Sequence, residues 1–407
     1  MIPRNALFCL FLLVLFAAAG CVSEPPAPQP EPATPAYVPV DQAAAMGLAS
    51  ALSLKPQNLC SWKDLRPGIE DNLRYIRSRP RDEVCVRRPG LLLTWGQLYD
   101  SVSELDGLLD QLDADPSLLA ERFAWFRLAP GTLLTGYYEP WLKASLTPDA
   151  TYKYPLYGVP GDLKVADLGA FHPRWAGQRL VYRVEGDAIK PYFGRSDIDG
   201  QGALAGKGDE IAWAADPVDV FFLQIQGSGR LDLADGTYRH ILYGGKNGRQ
   251  YVSIGRILID EGYVPKEEMS MQRIRKFLNE HPDVAEDILF RNPSYVFFQL
   301  ADEGPFGSIN AILTPRVSVA VDRSMIPLGS VVALRTALMD YATGEADPFF
   351  SLVLAQDTGG AIQNTRMDLF CGTGEAAETL AGHLQEGAEV YMLLSRRVLA
   401  SLPNNVE

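Results

Sequence analysis

The chain has 407 residues, 47% of them apolar and 10% aromatic, which is enough for real cores and too apolar for a disordered polypeptide. A formal net charge of −13 leaves no cationic footprint for non-specific nucleic-acid binding. The four histidines, His172, His240, His281 and His383, have no zinc-like spacing with one another or with cysteine, so no metal and no cofactor is expected.

Residues 1–20 read as a lipoprotein signal peptide: Arg4 supplies the positive start, Ala6 to Ala19 the apolar run, and Ala18-Ala19-Gly20-Cys21 a lipobox-like end. The run is short for a spanning helix, and Cys21 sits where a lipidated cysteine should be. Val22, rather than an acid, follows Cys21; by resemblance to lipoprotein sorting rules this places the expected lipid anchor in the outer membrane, facing the periplasm. Residues 21–41 are a proline-rich tether of polyproline II character. An oxidising compartment permits a Cys60–Cys85 disulfide with Cys371 left free; three unpaired thiols fit equally well.

From Gln42 to about Phe126 the periodicity is helical, with helices expected over Asp64–Arg77, Thr94–Leu112 and Pro116–Phe126. Beyond Pro130 the texture becomes β. Strands are expected at Leu133–Tyr138, Leu180–Val184, Ile211–Ala214, Val218–Gln226 and His240–Tyr243, then at Val317–Val321, Ser330–Leu334, Leu352–Ala355 and Val390–Leu394. Helices at Gly248–Glu261, Met269–Asn279 and Glu375–Leu384 decorate a mainly β architecture. Val317–Asp322 and Leu352–Asp357 each end a strand in an acid and lead through a turn to another strand, a pattern that suits a small pseudo-symmetric barrel.

Asp357 is the residue that needs a reason. It ends the apolar run Phe349–Ala355, and a carboxylate there is costly to desolvate. It either caps the Gly359-Gly360 turn or serves as a catalytic acid on a rigid strand. Asp357-Thr358-Gly359 matches the aspartic-protease signature, but that chemistry needs a second such triplet and the chain has none. Gly202–Gly208 fails as a phosphate loop in both spacing and its last residue. A Ser228 nucleophile with His240 as base lacks the nucleophile-elbow spacing. The remaining clusters are amide-rich and aromatic: Tyr137 and Tyr138 beside Pro140, Gln224 and Gln226 on one face of the expected strand, Ser228, Asn247 and Tyr295. Amides that pair hydroxyl and acetamido groups, with aromatic faces beside them, are what a carbohydrate groove requires.

Six motifs occur in one order: YYEP at 137–140, QIQGSG at 224–229, YGGKNGRQYVSIGRILIDEG at 243–262, AVDRSMIPLG at 320–329, AQDTGGAI at 355–362 and DLFCGTG at 368–374. Together they closely resemble the membrane-bound lytic murein transglycosylase A family, from about residue 120 to 395. The resemblance implies a double-psi β-barrel domain carrying a three-aspartate (3D) motif, built from residues 42–142 and 301–407 with the N-terminal helices. A second β domain, residues 143–300, is inserted, and a glycan groove runs between the two. It implies an exolytic peptidoglycan transglycosylase, a carbon–oxygen lyase acting on polysaccharide, with Asp357 as the catalytic acid and Asp322 and Asp368 as supporting acids. The expected partners are peptidoglycan glycan strands, the outer-membrane anchor and cell-wall synthesis proteins. Asn364 departs from the glycine more usual after Ala361-Ile362. A non-catalytic peptidoglycan-binding lipoprotein, a scaffold and a hydrolytic glycosidase are the alternatives.

Overall fold

The computed structural model describes residues 36–341 and 343–400; the leader, Cys21 and most of the tether lie outside them. Among the described residues no helix is long and apolar enough to cross a membrane.

A six-strand ring holds the main core. In spatial order it runs Thr132–Glu139, Gln385–Ser395, Val331–Asp340, Glu345–Asp357, Ser318–Val321 and Met367–Thr373, then back to the first strand. Two of its pairings are parallel, Ser318–Val321 with Glu345–Asp357 and Met367–Thr373 with Thr132–Glu139. Closure removes free edges from the ring and turns alternate residues inward, where Val319, Val332, Leu334, Val353, Leu369 and Leu394 fill the interior, while Leu354 faces helix Arg66–Arg77. Two further strands, Phe123–Ala129 and Ala36–Pro39, extend the sheet outward from Gln385–Ser395. Residues 36–39, assigned to the tether by their composition, are therefore part of the folded body.

The chain leaves the ring at Glu139 and enters a second sheet at Trp141. That sheet orders Val296–Ala301, Tyr238–Lys246, Gly229–Leu233, Trp141–Ser145, Glu210–Ala214 and Tyr154–Tyr157, and a bridge from Gly158 to Phe298 nearly closes it. Leu142, Leu156, Leu223, Leu231 and Ile241 form its core. A separate three-stranded sheet, residues 164–191, belongs to the same stretch of chain.

The N-terminal helices pack on the ring. Thr94 and Gln97 form a reciprocal capping box that starts helix Trp95–Leu112, whose buried stripe includes Leu98, Val102, Leu105 and Leu109. Helix Arg66–Arg77 lies so close to the ring that a Cβ on Gly329, whose φ is +88°, would sit 2.7 Å from Ile76.

Several expected elements differ. Val218–Gln226 is the end of a helix, Pro217–Gln226, not a strand. Asp216 caps it through the Val218 amide, Pro217 stands at its start, and Gly227 ends it at φ +82°. The helix is buried on most sides, so apolar residues fall on nearly every face and hide the helical period. Gln224 and Gln226 therefore point to different sides rather than sharing a strand face. The expected helix Pro116–Phe126 is one short turn, Leu118–Arg122, because Phe123–Ala129 is drawn into the sheet by strands on both sides. Helix Ile254–Asp260 begins later than expected, at its Ser253 cap, and helix Pro282–Phe290 was not foreseen. Cys60, Cys85 and Cys371 are all free, so the permitted disulfide does not form.

Candidate active site

Strand register gathers the acids at one end of the ring. Ala320 pairs with Asp357 on one side and with Asp368 on the other, and Asp368 in turn pairs with Thr135. Residues directly opposite in a sheet share a face, so these side chains converge. Tyr137, two residues beyond Thr135, returns to that face, and its ring packs 5.3 Å from Phe370. Tyr138 must face the other way; it is buried, and its backbone amide donates to Gln226 Oε1 at 3.0 Å.

Asp357 ends its strand with four donors around its carboxyl. Tyr137 Oη donates to Oδ2 at 3.0 Å; Oδ1 accepts from the Ser308 amide at 3.1 Å, Ser308 Oγ at 2.9 Å and the Thr358 amide at 2.8 Å. Ser308 lies on the return crossover from the second sheet. Its loop comes so close that a Cβ on Gly307 would meet Gln356 O at 2.5 Å. Burial holds the Asp357 carboxyl above the usual carboxylate range, and the bonds from Thr358, Ser308 and Tyr137 pull it part of the way back. The residue is still partly exposed, so the enclosure leaves a way in.

The neighbouring Gln356 fixes the strand end. It is 1% exposed; Oε1 accepts from Ser318 Oγ at 2.7 Å, and Nε2 donates to Asn72 Oδ1 at 2.9 Å and to Gly68 O at 3.1 Å. Helix Arg66–Arg77 thereby bolts down the residue before Asp357, an arrangement that keeps the strand end rigid.

Asp368 accepts from Thr135 Oγ1 at 2.8 Å. Burial pushes its carboxyl up to about 7, the Thr135 bond and the Arg366 charge lower it, and the charge of Asp357 adds to the rise. Asp322 holds the loop: Oδ1 accepts from the Ser324 amide at 2.9 Å and Oδ2 from the Asn364 amide at 2.8 Å. Asn364 has φ +56°, a left-handed conformation that asparagine tolerates, so its departure from glycine preserves the turn.

The other predicted residues lie apart from this carboxyl cluster by their bonding. Asn247 donates to Phe193 O and Pro293 O, both at 2.8 Å, and accepts from the Arg249 and Tyr295 amides, a fully used buried amide. Tyr295 is buried and donates to Asp199 Oδ1 at 2.9 Å. Gln224 is buried with Oε1 unpartnered. Ser228 follows the helix end at Gly227, and His240 Nδ1 is engaged with the buried Glu139 at 2.9 Å. Among the described residues no hydrogen bond joins Ser228 to His240, so a nucleophile pair has no geometric support, and no group of side chains could hold a metal ion. Sequence reasoning missed Ser308, Thr135, Gln356 and Arg366. Each acts through a partner far away in the chain, and single-chain patterning carries no signal for that.

A closed carboxyl-bearing barrel interrupted by a second β domain defines a class, and comparison with known proteins places the chain within it. Residues 133–299 match the MltA specific insert domain and residues 317–394 match the 3D domain. The membrane-bound lytic murein transglycosylase A of Vibrio cholerae is 34% identical over 266 residues, 64% of this chain and 65% of that protein. Its Escherichia coli K12 counterpart is 35% identical over 264 residues, 64% of each chain. The matched stretch thus spans just under two thirds of these relatives' length. Among solved structures, a membrane-bound lytic murein transglycosylase from Agrobacterium tumefaciens superposes with a TM-score of 0.74 at 31% identity, covering 90% of this chain and 99% of that one. MltA from Neisseria gonorrhoeae gives 0.67 at 29% identity over 88% and 92%. Escherichia coli MltA with bound chitohexaose gives 0.64 at 25% identity over 88% and 94%. The chain belongs to the membrane-bound lytic murein transglycosylase A family.

Proposed function

We propose that the protein is a peptidoglycan lytic transglycosylase that cleaves the β-1,4 bond between N-acetylmuramic acid and N-acetylglucosamine without water, leaving a 1,6-anhydro ring. The observation that carries this reading is a single carboxyl, Asp357, held at a barrel strand end between opposing influences. Burial favours its neutral form, while Tyr137, Ser308 and Thr358 stabilise its charged form. A group that acts first as acid and then as base needs both.

The protonated Asp357 gives its proton to the glycosidic oxygen as the bond to C1 breaks. The four donors around it then stabilise the carboxylate that remains. That carboxylate takes the proton from the muramic C6 hydroxyl as its oxygen bonds to C1. Ordinary glycosidases need two carboxylates because water is their final acceptor; here the nucleophile is already part of the sugar, so one suffices. Asp368 and Asp322 serve as supports, the first beside Asp357 and the second on the loop that follows it. Tyr137 touches the reacting carboxyl. Tyr138 and Gln226, joined by a hydrogen bond where the chain crosses between the two sheets, would flank the bound glycan strand. Gln224, Asn247 and Tyr295 are buried, so they act on the site only through the fold of the insert. Lipidation at Cys21 would hold the enzyme at the outer membrane, consistent with relatives named membrane-bound.

The test is digestion of purified sacculi in ¹⁸O-water with mass spectrometry of the products. Anhydro-muropeptides without ¹⁸O support the proposal. Reducing ends carrying ¹⁸O would identify a hydrolase, and no release would leave a binding module.

A further inference from the structure

Arg366 stands beside the acids without a role in the scheme above. It closes the Gln363–Arg366 turn and precedes Asp368 by two residues. Its guanidinium makes one long hydrogen bond, Nη2 to Thr135 Oγ1 at 3.3 Å, and Nε is buried without any partner. A guanidinium carries five N–H donors in a rigid fork, and a buried donor left unpaired is costly. Its position is telling. Thr135 is the hydroxyl that donates to Asp368, and the Arg366 charge acts on Asp368 in the ring and on Tyr251 in the insert. Through Thr135 the cation lies beside the carboxyl cluster, yet it closes no ion pair with either acid. Its charge works against the burial that raises Asp368. Nε is sealed from solvent, and Nη1 makes no hydrogen bond to the protein, which leaves it as the donor free for a ligand.

We propose that Arg366 binds the carboxyl oxygens of the 3-O-lactyl group on the muramic sugar cleaved at Asp357. This rests on the peptidoglycan reading of the site. The lactyl ether is what distinguishes muramic acid from the glucosamine of chitin. Its carboxyl is a free carboxylate on a strand stripped of peptides and an amide carbonyl on a strand that bears them. A guanidinium grips a carboxylate through two parallel bonds and an amide oxygen through one. Arg366 is thus a specificity residue: it discriminates peptidoglycan from chitin and favours stripped strands.

The test uses the full chain carrying Asp357→Asn to stop turnover, with and without Arg366→Gln or Arg366→Lys. Calorimetry would measure Kd for a stripped GlcNAc–MurNAc oligosaccharide, the same oligosaccharide with stem peptides, and chitohexaose. The expected result is a roughly 10- to 100-fold loss for Arg366→Gln on the stripped glycan, with chitohexaose unchanged and partial recovery in Arg366→Lys. A loss on the peptide-bearing glycan as large as on the stripped one would overturn the preference for stripped strands. A smaller loss would assign it to the free carboxylate. Equal loss on all three sugars would mean that Arg366 merely supports Thr135 and Asp368, and would overturn the proposal, as would no loss on any. Failure of the parent chain to bind any of the three would sink the peptidoglycan reading and this proposal with it.

Discussion

Asn247 in the insert and Asp357 in the ring both sit in polar, glycine-flanked motifs, yet they occupy opposite chemical situations. Asn247 is 1% exposed, and both ends of its amide are satisfied by backbone of its own domain. Asp357 is partly exposed and gathers its donors from three separate stretches, Tyr137, Ser308 and Thr358. The difference is one of remaining capacity. A fully used buried amide specifies a fold, whereas a carboxyl held on one side and open on the other can exchange a proton.

Substitutions should separate the two situations. Asp357→Asn keeps the shape and removes the proton, so kcat should fall by about 10³-fold or more while glycan affinity is retained, as steady-state rates and calorimetry would show. Comparable turnover in this variant would remove Asp357 from the chemistry. Asn247→Ala should instead lower unfolding stability by about 3 kcal/mol in a urea titration, since it strands two carbonyls and two amides. A stable but inactive Asn247→Ala would reverse the comparison and make that amide a substrate contact. Tyr137→Phe deletes one bond to the Asp357 carboxylate, so a roughly tenfold fall in kcat with an unchanged melting temperature is expected. Because that bond favours the charged form, its loss should also move the acidic group in the pH–rate profile upward.

Asp368→Asn sharpens the account by the smallest margin. A carboxyl raised in the folded state to about 7 binds its proton more tightly there than in the unfolded chain. Its stabilising contribution is full below the ordinary carboxylate pKa and is lost as pH rises through about 7. The asparagine form still accepts from Thr135 and carries no charge, so its melting temperature should vary less between the ordinary carboxylate pKa and pH 7. An unaltered profile would place the titration elsewhere.

Much of the ring was legible because its strands are long, apolar and punctuated, as in Phe349–Ala355 before Asp357-Thr358-Gly359. The acid-ended echo at Asp322 and Asp357 corresponds to two strands that lie side by side in parallel. Helix Pro217–Gln226 was misread because burial makes it apolar on most sides, although Asp216, Pro217 and Gly227 mark its ends. Of the candidate site, the acids and Tyr137 stood out in the sequence. Ser308, Gln356, Thr135 and Arg366 did not, since what they do depends on loop approach and strand register between residues 49 to 284 positions apart.

The central claim is that Asp357 begins the reaction protonated. A ¹³C-carboxyl NMR titration, with Asp357→Asn used to assign the resonance, tests it most directly. The account predicts a midpoint above the ordinary aspartate range, whereas a normal or depressed midpoint would contradict it.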